Sequence, residues 1–380
     1  MRLSLFSMFS DNGDSGGAYF DKDLNSKIMQ KVAEKCYIPA NQLMLELLEN
    51  HPDFKISYSL TGVFIEQCKQ FAPQVLESFA SLAKTGKVEF LSETYYHSLS
   101  YLFSDKDEFL EQIKLHSKEI SSFAKPSKVF RNTEAMFSND IAYLVERLGY
   151  EGILAEGLEH ILGWRSPNYL YTVNGCEKIK ALLRHFKLSD DIGYRFSAKW
   201  WNEHPLTADK YARWLSTLQG DCVNIFMDYE TFGEHHWKDT GIFEFLRHLP
   251  TEVEKHKDLR FATPTELVKN IGPRDDIDVP NLTSWADMER DTSAWLGNEM
   301  QKNAFSELEA LGEKVKEAKH DGLMRTWRML GNSDHFYYMC TKSLSDQDVH
   351  NYFSPYDSPF DAYINYMNIL NDFREKIGKV

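Results

Sequence analysis

The sequence lacks the motifs of several large protein classes. It contains no G-x-G-x-x-G and no G-x-x-x-x-G-K-[ST] pattern, so the common dinucleotide and P-loop folds lose support. The five cysteines are scattered, and no two form a C-x-x-C pair, which argues against a zinc ribbon or a disulfide framework. This cysteine usage fits a reducing compartment, and we expect a cytoplasmic protein.

Long apolar runs and excess positive charge are also missing. No apolar run approaches the roughly 18 to 20 residues that span a bilayer, and the N-terminal stretch has no convincing signal-peptide pattern. The formal net charge is −14, whereas nucleic-acid binding needs clustered Lys and Arg to neutralise phosphates. We therefore expect neither a membrane nor a nucleic acid as partner.

Aromatic residues, in contrast, are abundant. They make up 14% of the chain, with 19 Tyr and 8 Trp, and many stand in polar company, as in "KWWNEHP" and "GWRSPNYLY". Large aromatic side chains either fill a core or present flat apolar faces at a binding surface. The composition leaves both a large core and a sugar-binding cleft open.

The first two thirds of the chain alternate strand-like and helix-like segments. Strands are predicted at 54–60, 87–93, 128–134, 150–157 and 222–228, and helices at 61–86, 106–124, 138–149 and 207–220. Such alternation indicates βαβ units and a mainly parallel sheet, as a barrel or a doubly wound sheet. Helices are then predicted at 298–319, 320–340 and 358–378, beyond a Pro- and Asp-rich stretch at 271–287. We predict a catalytic barrel over 1–275 and a helical region over 276–380 that packs on it.

Three predicted strands end in a carboxylate: Glu93, Glu134 and Asp228. In parallel α/β barrels, functional groups lie at these strand ends and in the loops that follow. Each acid alone could be a helix cap or a solvated loop residue, but three in one chain favour a site. Two facing carboxylates are what glycoside cleavage requires, one to attack the anomeric carbon and one to protonate the leaving oxygen. Arg131 could keep Glu134 ionised, although the two point to opposite faces of an extended strand.

The stretch "NIFMDYETFGEHHW" places ionisable and aromatic groups directly behind an apolar run that we expect to be a buried strand. Asp228 with His235 or His236 could hold a metal, as in metal-dependent polysaccharide deacetylases. Neighbouring residues on an extended segment point in opposite directions, however, which disfavours two histidines on one ion. We expect no metal and no cofactor.

Several segments together resemble glycoside hydrolase family 57, in particular its α-amylase branch. They are "FMDYETFGEHHW", "VFRNTEAMFSNDIAYLVERLGYEGILAEG", "GKVEFLSETYYHSL", "GWRSPNYLY", "SDDIGYRFS" and "GNSDHFYYM". The resemblance runs over nearly the whole chain. It implies an incomplete (β/α)7 TIM-like barrel followed by a helical region. It also implies a retaining hydrolase of α-1,4-glucans that needs no metal.

The resemblance also implies roles for individual residues. By match to the family's conserved regions, Glu134 takes the place of the nucleophile and Asp228 that of the general acid/base. Further substrate contacts are expected at Glu93, His97, Arg131, Trp164, Glu230, His235, Trp237, Trp295, Asp334 and His335. Trp285 could line the cleft or belong to the core. A retaining enzyme should hold its two carboxyls about 5 to 5.5 Å apart.

The sequence departs from the family in one place. The family's first region is a His-Gln-Pro at the end of the first barrel strand, and the sequence has no such tripeptide. Because "MRLSLFSMF" resembles the stretch that follows it, we expect the first strand to be missing. The alternatives are an α-glucan transferase on the same site, a metal-dependent carbohydrate deacetylase, or a truncated glucan-binding protein without activity. The oligomeric state stays open.

Overall fold

The chain alternates strands with helices over its first part and then becomes helical. A computed structural model describes residues 19–342, 350, 352 and 354–379. The strands are β1 Ile56–Tyr58, β2 Val88–Ser92, β3 Pro126–Phe130, β4 Gly152–Glu156, β5 Leu170–Val173, β6 Lys180–Arg184 and β7 Asp275–Ile277. The helices up to β7 are α1 Lys22–Val32, α2 Ile38–Asn50, α3 Gly62–Phe71, α4 Pro73–Lys84, α5 Asp107–Ile120, α6 Asn139–Arg147, α7 Glu159–Leu162, α8 Phe186–Gly193, α9 Ala208–Thr217, α10 Ile242–Glu254 and α11 Pro264–Asn270. The later helices are α12 Ser293–Leu296, α13 Glu299–Ala318, α14 Asp321–Leu330, α15 Ser333–Tyr337 and α16 Pro359–Ile377.

The seven strands form one sheet in the order β1-β2-β3-β4-β6-β5-β7. Strands β1 to β4 and β6 run parallel, while β5 is antiparallel to β6 and parallel to β7. The parallel strands therefore open their carboxyl ends at a common edge. This is the edge where α/β folds place their functional groups.

The prediction of a sheet strand at 222–228 is wrong. The segment makes a single parallel bridge, between Asn224 and Arg184 at the end of β6. Two further bonds hold it there: the His185 N–H donates to the Asn224 oxygen (2.9 Å), and the Phe226 N–H donates to Ser189 Oγ (3.1 Å). Because Phe226 bonds to a side chain instead of a neighbouring backbone, no ladder continues. The segment is also only partly buried, unlike the buried strand we expected.

Helix boundaries largely follow the expected capping signals. Ser138 caps α6 by accepting the Ile141 N–H (3.3 Å), and Gly86 and Gly149 follow α4 and α6 with φ of +71° and +87°. The predicted helix 61–86 is broken into α3 and α4 at Pro73, which cannot continue the hydrogen-bond ladder. The predicted helix 320–340 likewise breaks after Leu330.

Two large apolar clusters flank the sheet edge. One joins α2, α4 and α10 to β1 and β2, and includes the fully buried Phe79 and Phe90. The other is built from α12 to α16 and takes in Tyr96, Leu99 and Phe103 from the loop after β2. The helical region thus shares a core with the loops at the carboxyl edge.

The predicted boundary between residues 275 and 276 falls inside β7, and the division into two domains stays a prediction.

Among the helices of the described residues, none is both long and apolar enough to cross a membrane.

Candidate active site

A large open cavity lies over the carboxyl edge of the sheet. Its volume is about 2290 Å³, and it combines acidic, aromatic and aliphatic walls. The predicted site residues on its lining are His97, Arg131, Glu134, Asp228, Glu230, His235 and Asp334. The chain therefore brings both proposed catalytic acids and five of the predicted substrate contacts to one space.

Glu134 does not end a strand, as the sequence suggested. Strand β3 stops at Phe130, and Glu134 lies four residues later in a tight turn with φ +54°, followed by Ala135 at +48°. Two consecutive non-glycine residues in the left-handed region are unfavourable and persist only where surroundings impose them. Hydrogen bonds from the Ala135 and Met136 N–H groups to Asn132 and Thr133 oxygens close the turn (2.9 and 3.0 Å). The turn aims the Glu134 carboxylate at the cavity.

Each oxygen of the Glu134 carboxylate accepts a hydrogen bond from a different ring. His97 Nε2 lies 2.9 Å from Oε1, and the Trp285 indole Nε1–H donates to Oε2 at 2.9 Å. Desolvation alone would raise the Glu134 pKa. The His97 hydrogen bond and charge, followed by the Arg131 charge and the Trp285 bond, outweigh it and lower the pKa below its usual range. Glu134 is therefore an ionised carboxylate at neutral pH.

His97 lies between two carboxylates. Its Nε2 faces Glu134, and its Nδ1 lies 3.8 Å from Glu93 Oε2, an ion-pair distance longer than a hydrogen bond. Desolvation opposes the charge on His97, but the two carboxylates raise its pKa to about 10. His97 is thus an imidazolium at neutral pH and is the cation that contacts Glu134.

Glu93 supports this arrangement from below the cavity surface. It is fully buried, accepts a hydrogen bond from Ser59 Oγ (2.7 Å), and lies 3.7 Å from Arg131 Nη1. Its own backbone N–H donates to His116 Nδ1 (3.3 Å). Burial would raise the Glu93 pKa, but His97 and Arg131 lower it. Its position beneath His97 makes Glu93 a support for that ring, and a direct contact of Glu93 with substrate stays a prediction.

Asp228 has the opposite electrostatic surroundings to Glu134. Desolvation by the cavity walls and then repulsion from Glu230 raise its pKa to about 6, with a smaller contribution from Glu134, while His235 and Arg131 oppose the increase. The residue is itself exposed to the open cavity, so water there screens part of this effect. A sugar that displaced this water would remove the screening and raise the Asp228 pKa further. Asp228 can therefore hold a proton close to neutral pH.

The loop after Asp228 is fixed to α1 and to the turn that joins α1 to α2. Tyr37 donates a hydrogen bond to Glu230, and Lys31 pairs with Glu234. Gly233 has φ +121°, and a Cβ there would lie 2.0 Å from the Lys35 carbonyl oxygen. Only glycine allows this close approach of the loop to the helices.

The helical region contributes Asp334 to the cavity. The Asn332 side chain donates to the Tyr96 oxygen (2.9 Å), and the Ser333 N–H donates to the His97 oxygen (2.9 Å). These bonds tie the start of α15 to the loop that carries His97. Asp334 and Tyr337 consequently line the same cavity as Glu134.

The remaining predicted contacts lie elsewhere. Trp295 and His335 are buried, at 1% and 2% exposure, in the helical core, where His335 Nε2 contacts the Met329 oxygen (3.2 Å). Trp164 and Trp237 are exposed, at 93% and 59%, and neither is on the cavity lining. The geometry does not bring these four to the site, and any role of theirs in binding rests on the sequence alone.

The two adjacent histidines take different positions. His235 lines the cavity, whereas His236 is buried and its Nδ1 lies 2.8 Å from Ser197 Oγ. Within the described part of the chain, no three or more His, Cys, Asp or Glu side chains are grouped so that they could hold a metal ion.

Among the cavity residues, Trp285 was left undecided between cleft and core by the sequence, and Arg184 was not considered. Trp285 follows the last strand, in a segment without regular periodicity. Arg184 ends β6, where its side chain lies 3.1 Å from Glu156 Oε2 and donates to the Phe226 oxygen (2.6 Å). A charged residue at the end of a parallel strand was a signal that could have identified Arg184.

A family model for glycosyl hydrolase family 57 matches residues 13–280. The chain belongs to glycosyl hydrolase family 57. A protein of Methanocaldococcus jannaschii, whose name assigns it provisionally to the α-amylases, is 52% identical over 373 residues, which cover 95% of this chain and 79% of that protein. An α-amylase of Pyrococcus furiosus is 22% identical over 310 residues, but the match covers only 44% of that enzyme.

Solved structures show the same fold for this family 57 protein. A branching enzyme from Thermococcus kodakaraensis superposes with a TM-score of 0.66 at 13% identity, covering 92% of this chain and 85% of the other. An α-amylase from Thermotoga maritima gives 0.61 at 14% identity, covering 95% and 91%. The predicted fold, an incomplete (β/α)7 barrel followed by a helical region, is confirmed, and the protein is a glycoside hydrolase.

Proposed function

We propose that this chain is a retaining hydrolase of α-1,4-glucans, with Glu134 as nucleophile and Asp228 as general acid and base. The main support for the proposal is that two carboxyl groups lining one cavity have pKa values shifted in opposite directions. Glu134 is held ionised by His97 and Trp285, whereas the pKa of Asp228 is raised to about 6. Two carboxyls whose surroundings drive their pKa values apart are what acid-assisted nucleophilic cleavage requires.

The geometry supports a two-step reaction. Ionised Glu134 attacks the anomeric carbon while protonated Asp228 gives its proton to the leaving glycosidic oxygen. Asp228, now ionised, then takes a proton from a water molecule, which attacks the glycosyl ester and releases Glu134. In a crystal structure, the two carboxyls of a retaining enzyme should lie about 5 to 5.5 Å apart.

Maltoheptaose digestion tests the reaction directly. The purified chain should release shorter maltooligosaccharides, and Glu134→Gln should reduce the rate by about a thousandfold or more. A chelator should leave the parent rate unchanged. Loss of activity with the chelator would favour the metal-dependent alternative, and no product from either protein would indicate a glucan-binding protein without activity.

Chemical rescue separates a nucleophile from a structural acid. Glu134→Ala should be inactive on a 4-nitrophenyl maltooligosaccharide, and added azide should restore release of nitrophenol by attacking from the vacated side. Asp334→Ala, which removes another acid of the cavity, provides the control that azide should not rescue. Rescue of Asp334→Ala and not of Glu134→Ala would contradict the assignment.

Glucan transfer is the second candidate because it uses the same glycosyl intermediate. A 4-α-glucanotransferase from Thermococcus litoralis is 20% identical over 310 residues, although the match covers only 43% of it. A cavity of about 2290 Å³ leaves space for an acceptor sugar beside the donor. Products longer than maltoheptaose would establish transfer, and exclusively shorter products would establish hydrolysis.

The proposed partner is therefore an α-glucan or maltooligosaccharide. All five cysteines are unpaired, which supports our placement of the enzyme in a reducing cytoplasm.

A further inference from the structure

Trp285 contacts Glu134 through both its side chain and its backbone. The indole Nε1–H donates to Glu134 Oε2 at 2.9 Å, and the Trp285 backbone N–H donates to the Glu134 carbonyl oxygen at 3.4 Å. Trp285 belongs to the segment between β7 and α12, far in sequence from the turn that carries Glu134. The segment between β7 and α12 therefore holds the strained turn through contacts separate from those of His97.

The Trp285 ring is itself held in one orientation. It stacks on Phe226 with ring centres 4.9 Å apart and planes at 23°. The guanidinium groups of Arg131 and Arg184 lie 5.2 and 5.6 Å from its ring centre, within the range of cation–π attraction. Arg290 also donates a hydrogen bond to the Trp285 carbonyl oxygen. An indole fixed by so many contacts can direct its N–H with little freedom.

We propose that Trp285 is a positioning residue for the nucleophile: its N–H fixes Glu134 Oε2 and so sets the orientation of the attacking carboxylate. This inference rests on the proposed function of Glu134. With His97 on one oxygen and Trp285 on the other, rotation of the carboxylate plane is blocked at both ends. Each oxygen accepts one bond and keeps a second lone pair for the anomeric carbon. Attack from a fixed angle lowers the barrier because the reacting atoms are already aligned.

A stacking role for Trp285 is the competing explanation, because the residue also lines the cavity. The two roles differ in kinetics. Loss of a sugar-stacking surface weakens substrate binding and raises KM, whereas loss of nucleophile alignment lowers kcat with little change in KM. The indole N–H also helps to keep Glu134 ionised, so its loss should move the acidic limb of the pH profile to higher pH.

The test is to remove the N–H and keep the ring. Trp285→Phe keeps an aromatic face against Phe226, and 3-benzothienylalanine introduced at position 285 keeps the full indole shape with sulfur in place of N–H. We expect both to lower kcat on maltoheptaose about 10- to 100-fold with KM within about twofold. Both should move the acidic limb of the pH–rate profile to higher pH. Trp200→Phe, at a ring 78% exposed and off the cavity lining, is the matched control and should change neither.

Three outcomes separate the possibilities. Full kcat with the benzothienyl side chain would overturn the inference even if Trp285→Phe were impaired, because only the N–H is missing there. A rise in KM with unchanged kcat would overturn it in favour of sugar stacking. Failure of azide to rescue Glu134→Ala would instead refute the proposed nucleophile, so the two failures can be told apart.

Discussion

Replacing His97 should show how much the two proposed catalytic acids depend on one imidazolium. The two carboxylates beside His97 raise its pKa from 6.5 to about 10, which corresponds to about 5 kcal/mol in favour of the charged form. His97 is only 18% exposed at its side chain, so water screens little of this. The residue has φ +49°, and Asn tolerates that conformation well. His97→Asn is therefore the variant that removes the cation with the least backbone strain.

Activity and stability should both respond. Glu134 loses a charge-assisted hydrogen bond, so kcat/KM on maltoheptaose at pH 7 should fall about 10- to 100-fold. The Glu134 pKa should rise, which moves the acidic limb of the profile to higher pH. Because the folded pKa of His97 exceeds the unfolded value, its contribution to stability is complete below about pH 6.5 and disappears as pH rises through about 10. The parent should lose its stability advantage over the variant across this window.

The measurements are initial rates from pH 4 to 9 and urea unfolding at pH 6 and pH 10. His248 has a side chain that is 65% exposed, so His248→Gln is the control for removal of a surface histidine. This variant should match the parent in the pH–rate profile and in the free energy of unfolding. A His97→Asn variant with kcat/KM within twofold of the parent and an unmoved acidic limb would refute the reasoning. A stability difference that grew with pH would show that His97 is neutral in the folded protein.

Three further predictions follow from the site and the core. Asp228→Asn should lower maltoheptaose hydrolysis about 10²- to 10⁴-fold and abolish the basic limb, because in the parent the acid form of Asp228 is lost as pH rises past about 6. Gly233→Ala should lower the free energy of unfolding by about 1 to 3 kcal/mol in thermal denaturation, because its Cβ would meet the Lys35 oxygen, whereas Gly272→Ala meets nothing within 4 Å and should not. Trp295→Ala should lose about 3 to 5 kcal/mol of stability without a change in KM, and a raised KM would return Trp295 to the substrate contacts.

The strands that the sequence predicted well are those in which apolar residues are concentrated. Residues 87–93 and 150–157 correspond to β2 and β4, which are paired on both edges. Segment 222–228 has the same composition but failed as a strand, since apolar content does not reveal whether a partner is available. Strand β7 has the opposite character: two aspartates in three residues gave no apolar signal, and backbone pairing with β5 alone makes it a strand.

The site could be predicted as far as the identity of its acids. Glu134, Asp228 and Asp334 all line one cavity, as the family resemblance implied. The residues that set the pKa values of these acids were harder to predict from the sequence. The sequence left it open whether Arg131 could keep Glu134 ionised. Arg131 lies 3.7 Å from Glu93, and its charge also lowers the Glu134 pKa. Trp285 was a candidate for the cleft or the core, and no periodicity or spacing decided between the two.

The division of work between the two carboxyls therefore depends on what surrounds them. Both are carboxylates on the wall of one cavity, and desolvation pushes both pKa values upward. Glu134 escapes this because the half-buried imidazolium of His97 and the indole of Trp285 donate to its two oxygens. Asp228 faces Glu134 and Glu230 and so gains from holding a proton. The negative charge on Glu134 thus raises the proton affinity of Asp228. The ionised form of Glu134, which is needed for attack, therefore also favours the protonated form of Asp228. In the proposed mechanism, formation of the glycosyl ester would remove the Glu134 charge and so lower the Asp228 pKa just after Asp228 has given up its proton.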